Sequence, residues 1–114
     1  ADAVPTLSPK EFEKESKNGI IFDTRLPEAF AGGHIPNSYS VWLGGLPVFG
    51  GWLADDEIPV YLVLEKHDDL KKAFMHLQRI GVDNISGVLA GGFEGWRDAG
   101  LDIEMSGTLS VNSK

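Results

Sequence analysis

Short apolar runs alternate with segments of helical pattern along this chain, and this alternation constrains the fold more than any other feature of the sequence. The apolar runs lie at residues 20–22, 39–43, 60–64 and 85–89. Short strands separated by about 10 to 20 residues favour parallel pairing, because each connection can hold a crossover helix. We therefore predict a three-layer α/β domain, with helices on both faces of a small, mostly parallel sheet of about four to five strands.

The helical segments carry recognisable start signals and apolar faces. Ser8 and Glu11 have the spacing of a capping box, and Pro9 occupies the first helical position, where its missing N–H costs nothing. A second helix follows the run 60–64, and the stretch "GGFEGWRDAG" predicts a short last helix ending near Gly100. The second helix has one apolar face at i, i+3 and i+4 spacing, made of Leu70, Ala73, Phe74, Leu77 and Ile80.

The length of 114 residues suits one domain with a core that needs no disulfide or metal. We expect residues 1–104 to form that domain and residues 105–114 to form a polar tail or linker. The chain does not begin with Met, which is compatible with a domain excised from a longer protein. Its first residues lack the basic and apolar regions of a signal peptide.

Charge and composition exclude several classes of function. The formal net charge is -7, with 10 basic and 17 acidic residues, so we expect no nucleic-acid partner and no anionic membrane partner. No apolar run approaches the roughly 20 residues of a membrane span. The chain has no cysteine, which removes thiolate metal sites and cysteine nucleophiles and fits a reducing, cytoplasmic location. We also expect no cofactor and no bound metal.

The stretch "FDTRLPEAFAGGHIPNS" places Asp23 and Arg25 at the carboxyl end of the first run, where α/β proteins often carry function. One interpretation is an acid beside an anion-binding Arg. The other is structural, with Asp23 accepting N–H groups of the next turn and Arg25 pairing with Glu28 or a backbone carbonyl. His34 likewise fits a loop hydrogen bond or a catalytic role.

The stretch "LEKHDD", residues 64–69, joins the run 60–64 to the next helix and leaves three interpretations open. It is a solvated loop followed by a helix cap, or it places His67 beside Asp68 as a general base. A divalent cation held by Glu65, Asp68 and Asp69 is the third interpretation.

Two glycine-rich segments also attract attention. The aromatic residues of "VWLGGLPVFGGWL" predict either packing over the sheet edge or an exposed contact patch. Gly91, Gly92 and Trp96 indicate tight packing between the last strand and helix, because no Gly-Lys-Ser/Thr follows as in a phosphate loop.

Two signatures together resemble the rhodanese-like domains. "IIFDTRLPEAFAGGHIPNSYSV" is similar to the first signature of that family, and "LQRIGVDNISGVLAGGFEGWRDAGLDI" is similar to the second. They occur in the family's order and span about residues 7–104. The resemblance implies a small α/β domain with a central parallel sheet. The matching positions, which we interpret as structural, are Asp23, Arg25, Glu28, Phe30, Gly33, His34, Ile35, Pro36, Gly91, Gly92 and Trp96.

The resemblance also implies where the family's chemistry would be. Active members carry a nucleophilic cysteine at the end of the third strand, in a loop whose N–H groups hold a persulfide or an anionic substrate. That position falls at or beside Leu64, so the loop of Leu64, Glu65, Lys66, His67, Asp68 and Asp69 is the vestige of an active site. Leucine cannot form a thiolate, and the added carboxylates repel anions. We expect Asp68 and Asp69 to cap the following helix.

A further resemblance predicts the kind of protein to which this domain belongs. The stretches "WLADDEIPVYLVLE" and "RIGVDNISGVLAGGFEGW" resemble cysteine-less rhodanese-like domains attached to metallo-β-lactamase-fold proteins, some of which are linked to persulfide or polysulfide oxidation. The resemblance implies a catalytically inactive structural or interaction module. Its expected partner is a neighbouring catalytic domain of the same chain or another protein, and homo-oligomers are compatible with it. The alternative is an enzyme or a ligand- or metal-binding domain that uses the loop Glu65–Asp69 with oxygen or nitrogen chemistry.

Overall fold

The structure is a computed structural model that describes residues 4–40, 58–79 and 84–105. Strands and helices alternate along these ranges, as the sequence pattern predicts. In chain order they are β1 (Thr6–Leu7), α1 (Pro9–Ser16), β2 (Ile20–Asp23), α2 (Pro27–Gly32), β3 (Tyr39–Ser40), β4 (Val60–Val63), α3 (Leu70–Arg79), β5 (Ile85–Leu89) and α4 (Gly92–Asp98).

The five described strands form one sheet in the order β1-β5-β4-β2-β3, and every neighbouring pair in it is parallel. The predicted small parallel sheet is therefore confirmed. Strand β1 was not predicted, because two residues are too short to show a strand pattern. Its pairing depends on long-range hydrogen bonds, in which Val88 donates to the Pro5 carbonyl and Ala90 donates to the Leu7 carbonyl.

Helix α1 begins at the predicted capping box. The Ser8 N–H donates to Glu11 Oε1 at 3.0 Å, and the Glu11 N–H donates to Ser8 Oγ at 3.2 Å. Leu7 before the cap and Phe12 within the helix both belong to the same buried cluster. This pairing fixes the angle at which the chain leaves β1 and enters α1.

Side chains that alternate along the strands form two cores, one on each face of the sheet. Helix α3 covers one face, where Ala73 and Leu77 pack with Phe22, Leu62 and Val88. Helices α1 and α4 cover the other face. The buried residues there are Leu7, Phe12, Ile21, Ile35, Tyr61, Val63, Leu89 and Trp96. These clusters confirm the prediction of helices on both faces.

Helix α3 presents the predicted apolar face to the sheet. Ala73 and Leu77 are fully buried, whereas Lys71, Lys72 and Gln78 are exposed. The last residue of the predicted face, Ile80, lies outside the described residues. Burying this stripe is what holds α3 on the sheet, since a helix of ten residues has little stability by itself.

Strand β4 is shorter than predicted, and two other predicted segments continue beyond the described residues. Strand β3 is described only at Tyr39–Ser40, because residues 41–57 with their glycine-rich aromatic segment lie outside the described residues. Strand β4 ends at Val63, so Leu64 already belongs to the following loop. Nearly all of the expected tail, residues 106–114, also lies outside the described ranges. None of the described helices is long and apolar enough to cross a membrane.

Candidate functional site

A cleft of about 450 Å³ lies at the carboxyl edge of the sheet. The loops after β2, β4 and β5 meet there, because the carboxyl ends of parallel strands share one edge. A smaller cavity of about 250 Å³ adjoins it and shares Leu64, Glu65, Gly91 and Gly92. The residues that line the larger cleft are Arg25, Glu28, Ala29, Gly32, Gly33, Leu64, Glu65, Gly91, Gly92, Phe93, Glu94 and Arg97.

Asp23 and Arg25 form a buried, bidentate ion pair, of which Arg25 lines the cleft. Arg25 Nε donates to Asp23 Oδ1 at 2.8 Å, and Arg25 Nη2 donates to Asp23 Oδ2 at 2.7 Å. Asp23 also accepts the Arg25 backbone N–H, and its exposed fraction is 0%. The geometry corresponds to the structural interpretation of this pair, since the carboxylate and the guanidinium are hydrogen-bonded to each other.

Arg25 also ties two loops of the cleft together. Its Nη2 donates to the Gly33 carbonyl at 2.8 Å, and its guanidinium carbon lies 4.5 Å from the centre of the Phe93 ring. Planar guanidinium groups suit such simultaneous pairing and stacking. The side chain therefore joins the loop after α2 to the start of α4. Glu28, the other predicted partner of Arg25, is exposed on the wall of the cleft.

Leu64 occupies the base of the cleft, with an exposed fraction of 4%. Gly91 and Gly92 face it with φ angles of 76° and 62°, which L-amino acids with side chains rarely adopt. A Cβ atom on Gly92 would lie 3.1 Å from the Leu64 carbonyl oxygen. The glycine pair thus allows the β5–α4 turn to approach the end of β4 closely, as the predicted tight packing requires.

The loop after Leu64 is exposed and acidic. Glu65, Lys66 and Asp68 are exposed, and residues His67–Asp69 form a 3-10 turn that leads into α3. The Asp69 N–H donates to the Lys66 carbonyl at 2.9 Å. In the described contacts, neither the Asp68 nor the Asp69 carboxylate accepts a backbone N–H, which differs from the expected cap.

Neither of the chemical alternatives for this loop gains support from the geometry. Within residues 4–40, 58–79 and 84–105, no group of three or more His, Asp or Glu side chains is placed to hold a metal ion. The cation site proposed on Glu65, Asp68 and Asp69 is therefore not assembled. The side chain of His67 lies outside what the structure describes, so its pairing with Asp68 stays a prediction.

His34 is buried and forms hydrogen bonds within its own loop. Its Nδ1 lies 2.8 Å from the Phe30 carbonyl, to which it donates, and its ring stacks on the Phe30 ring at 3.8 Å. Its Nε2 lies 3.5 Å from Glu104 Oε1, and the two backbones exchange N–H···O bonds of 2.8 Å. These contacts fasten the segment after α4 to the loop after α2.

Two of the remaining signature residues, Ile35 and Trp96, pack in the core that α1 and α4 cover. Ile35 and Trp96 are buried, and Trp96 Nε1 donates to the Asp102 carbonyl at 2.7 Å. With the half-buried Pro36 they border a separate crevice of about 310 Å³ that also contains Glu13 and Lys17. They stabilise the fold and do not contribute to the cleft.

Five residues that line the cleft were not predicted as site residues: Ala29, Gly32, Phe93, Glu94 and Arg97. Thr24 was not predicted either; its Oγ1 donates to the Val63 carbonyl at 3.0 Å and joins β2 to β4 beyond the last strand pair. One signal was available for the first group. The pair Gly32–Gly33 lies at the end of α2, and the pair Gly91–Gly92 lies at the start of α4. Both pairs are at the carboxyl edge, so the residues around them converge there.

The family model described as "Rhodanese-like domain" matches residues 8–99. The chain belongs to the rhodanese-like domain family. A rhodanese-related protein from Thermoplasma volcanium is 20% identical, with a TM-score of 0.72 over 89% of this chain and 98% of that chain. The rhodanese-like domain of the Alr3790 protein from Anabaena sp. is 17% identical, with a TM-score of 0.75 over 89% and 79%.

A third similar structure belongs to a longer chain, of which this domain matches only a part. The thiosulfate sulfurtransferase from Pseudomonas aeruginosa is 23% identical, with a TM-score of 0.69 over 90% of this chain but only 20% of that chain. At these identities the likeness shows the shared fold. The chain is therefore a rhodanese-like α/β domain, and its sequence contains no cysteine.

Proposed function

We propose that this rhodanese-like domain is catalytically inactive and serves as a structural or interaction module. The observation that carries the proposal is the buried Leu64 at the carboxyl end of β4. An aliphatic side chain there cannot carry a transferred sulfur atom. The chain has no cysteine at any other position that could do so instead.

The electrostatics of the cleft support the same proposal. Glu28, Glu65 and Glu94 line it, and all three are exposed. Thiosulfate and a cysteine persulfide are both anions, so carboxylates at the entrance repel them. Arg25 could counter this repulsion only by leaving Asp23, with which it forms a buried bidentate pair.

Sulfur transfer from thiosulfate to cyanide tests the catalytic part of the proposal. We expect no transfer above the buffer blank from the pure chain, and none above about 1% of a thiosulfate sulfurtransferase from Leu64→Cys, because a thiol alone leaves the acidic entrance in place. The Leu64→Ser variant is the control for the changed size of the side chain. Appreciable transfer by the unmodified chain would overturn the proposal, and robust transfer by Leu64→Cys would overturn the charge argument.

The proposed context is a longer, multidomain protein in which this module orients or dimerises a metallo-β-lactamase-fold catalytic neighbour. The support is the resemblance of "WLADDEIPVYLVLE" and "RIGVDNISGVLAGGFEGW" to cysteine-less domains in such proteins. The parent gene tests it directly. We expect a His-x-His-x-Asp-His metal motif in the flanking sequence, and a parent open reading frame without any such neighbouring domain would contradict this context.

A further inference from the structure

The cleft at the carboxyl edge is open, and three glutamates line it. We propose that it receives a long basic side chain, Lys or Arg, from an extended segment of a protein partner. This inference rests on the proposed function as an interaction module. It names the surface on which the partner docks and the chemistry that the partner presents.

Three carboxylates surround the opening from three different elements. Glu28 lies on α2, Glu65 follows β4 and Glu94 lies in the first turn of α4. All three are exposed, and among the described contacts none of them forms a hydrogen bond or an ion pair within the chain. They are therefore available to a cationic group that enters between them.

The two arginines of the cleft do not cancel this charge. Arg25 is buried and held by both oxygens of Asp23. Arg97 is exposed and lies 3.6 Å from Asp98, measured between Nε and Oδ1. The amino end of α4 carries a partial positive charge, but Glu94 in its first turn offsets that charge.

The cleft also offers an apolar wall for the stem of such a side chain. Ala29, Leu64 and Phe93 line it, and Leu64 closes its base. Lys and Arg place their methylene groups along apolar surface and keep the charged end near polar groups. The volume of about 450 Å³ falls in the roughly 300–1,000 Å³ range of binding pockets. Anions would face three carboxylates, and a purely apolar ligand would leave those carboxylates partly desolvated without a partner.

Nuclear magnetic resonance titration of the nitrogen-15-labelled chain tests the proposal. The probe is a tetra-arginine peptide with blocked ends, and a tetra-glutamate peptide of the same length is the reference. We expect tetra-arginine to shift the amide signals of Gly33, Gly91 and Gly92 and tetra-glutamate to leave them unchanged. Raising NaCl from about 0.05 M to about 0.5 M should weaken the binding severalfold, because the carboxylates are exposed.

Two matched triple variants separate a local site from the overall negative charge of the chain. The cleft variant is Glu28→Gln, Glu65→Gln and Glu94→Gln, and the control is Glu13→Gln, Glu15→Gln and Asp102→Asn. Both remove three charges, but Glu13 and Asp102 border the separate crevice, which shares no lining residue with the cleft. We expect the cleft variant to bind tetra-arginine about tenfold more weakly and the control to stay within about twofold of the parent, as exposed ion pairs predict.

Three results would overturn the proposal: no binding of tetra-arginine, equal weakening by both variants, or amide shifts confined to the separate crevice. If the cleft variant proves unstable, the single charge reversal Glu65→Lys must show the same loss. The sulfur-transfer assay tests the proposed inactivity independently of the proposed docking of a basic side chain. Absence of peptide binding with absence of sulfur transfer leaves the inactive module in place and removes only the basic docking segment.

Discussion

Leu64 and the Asp23–Arg25 pair show how single side chains set the chemistry of the cleft. Leu64 places a buried aliphatic group just after the end of β4, so this position offers no thiol. Arg25 lies at the edge of the same cleft, yet its donors are taken by Asp23 and the Gly33 carbonyl. An arginine that resembles an anion ligand in the sequence is therefore a structural clamp in the fold.

Arg25→Lys tests whether the clamp stabilises the domain. Lysine keeps the charge but cannot pair bidentately, bond Gly33 and stack on Phe93 at once, so the buried Asp23 loses partners. We expect the free energy of unfolding to fall by about 2–4 kcal/mol. This is less than the roughly 3–5 kcal/mol lost when one partner of a buried ion pair is removed, because lysine keeps the positive charge. Urea unfolding followed by tryptophan fluorescence measures this value.

Arg97→Lys is the matched control for that substitution. Arg97 and its partner Asp98 are both exposed, so we expect a change below about 0.5 kcal/mol. Equal costs for the two substitutions would show that the Arg25 pair contributes no more than an exposed one.

Helix α3 shows how an element is positioned by its apolar face. The helix follows the acidic 3-10 turn His67–Asp69, and its described part contains no capping hydrogen bond from Asp68 or Asp69. Its attachment therefore depends on Ala73 and Leu77 against the sheet. The same attachment fixes the direction in which the loop leaves Leu64 and so sets the shape of the cleft.

Leu77→Ala and Met75→Ala compare the two faces of α3. Leu77 has an exposed fraction of 0% and Met75 one of 47%. Removing the buried side chain leaves a cavity, so we expect Leu77→Ala to lower the free energy of unfolding by about 2–5 kcal/mol. We expect Met75→Ala to change it by less than about 0.5 kcal/mol, as for other exposed positions. Comparable losses from both substitutions, measured by urea unfolding, would contradict the observed orientation of the helix.

The domain as a whole consists of one parallel sheet between two cores, and Tyr61 links its packing to pH. Tyr61 is buried between the sheet and α1, and its ring meets Phe12 edge-on with centroids 5.7 Å apart. Burial raises the pKa of the Tyr61 phenol above its ordinary value of 10.0, and the negative charge of Glu15 raises it further. The neutral phenol is thus favoured in the folded domain.

The raised pKa of Tyr61 predicts that the free energy of unfolding falls at alkaline pH. Below about pH 10 the phenol is neutral in both the folded and unfolded states, so its contribution to stability is fully present. As pH rises beyond that value, the unfolded state releases the proton first and stability falls. We expect Tyr61→Phe to remove part of this alkaline loss and Tyr39→Phe, at an exposed position, to leave it unchanged. Identical urea midpoints for all three proteins between about pH 9 and about pH 11 would refute this coupling.

Local signals in the sequence determined most of the elements of this domain. The capping box started α1, the buried runs located β2, β4 and β5, and the i, i+4 apolar stripe identified the face of α3. Each of these signals lies within a few neighbouring residues, where hydrogen bonding and side-chain spacing act directly. The missing cysteine also needed no structure, since no fold can supply a thiol that the chain lacks.

Only the tertiary structure decided how distant segments meet at the carboxyl edge. Strand β1 exists because β5 offers it hydrogen bonds, and Phe93, Glu94 and Glu28 share one cleft because two glycine-bearing turns converge there. The partner of Arg25 was open in the sequence among Glu28, a carbonyl and a bound anion, and folding selected Asp23 and Gly33. Such choices depend on which groups are buried together, and burial is a property of the packed chain rather than of any local pattern.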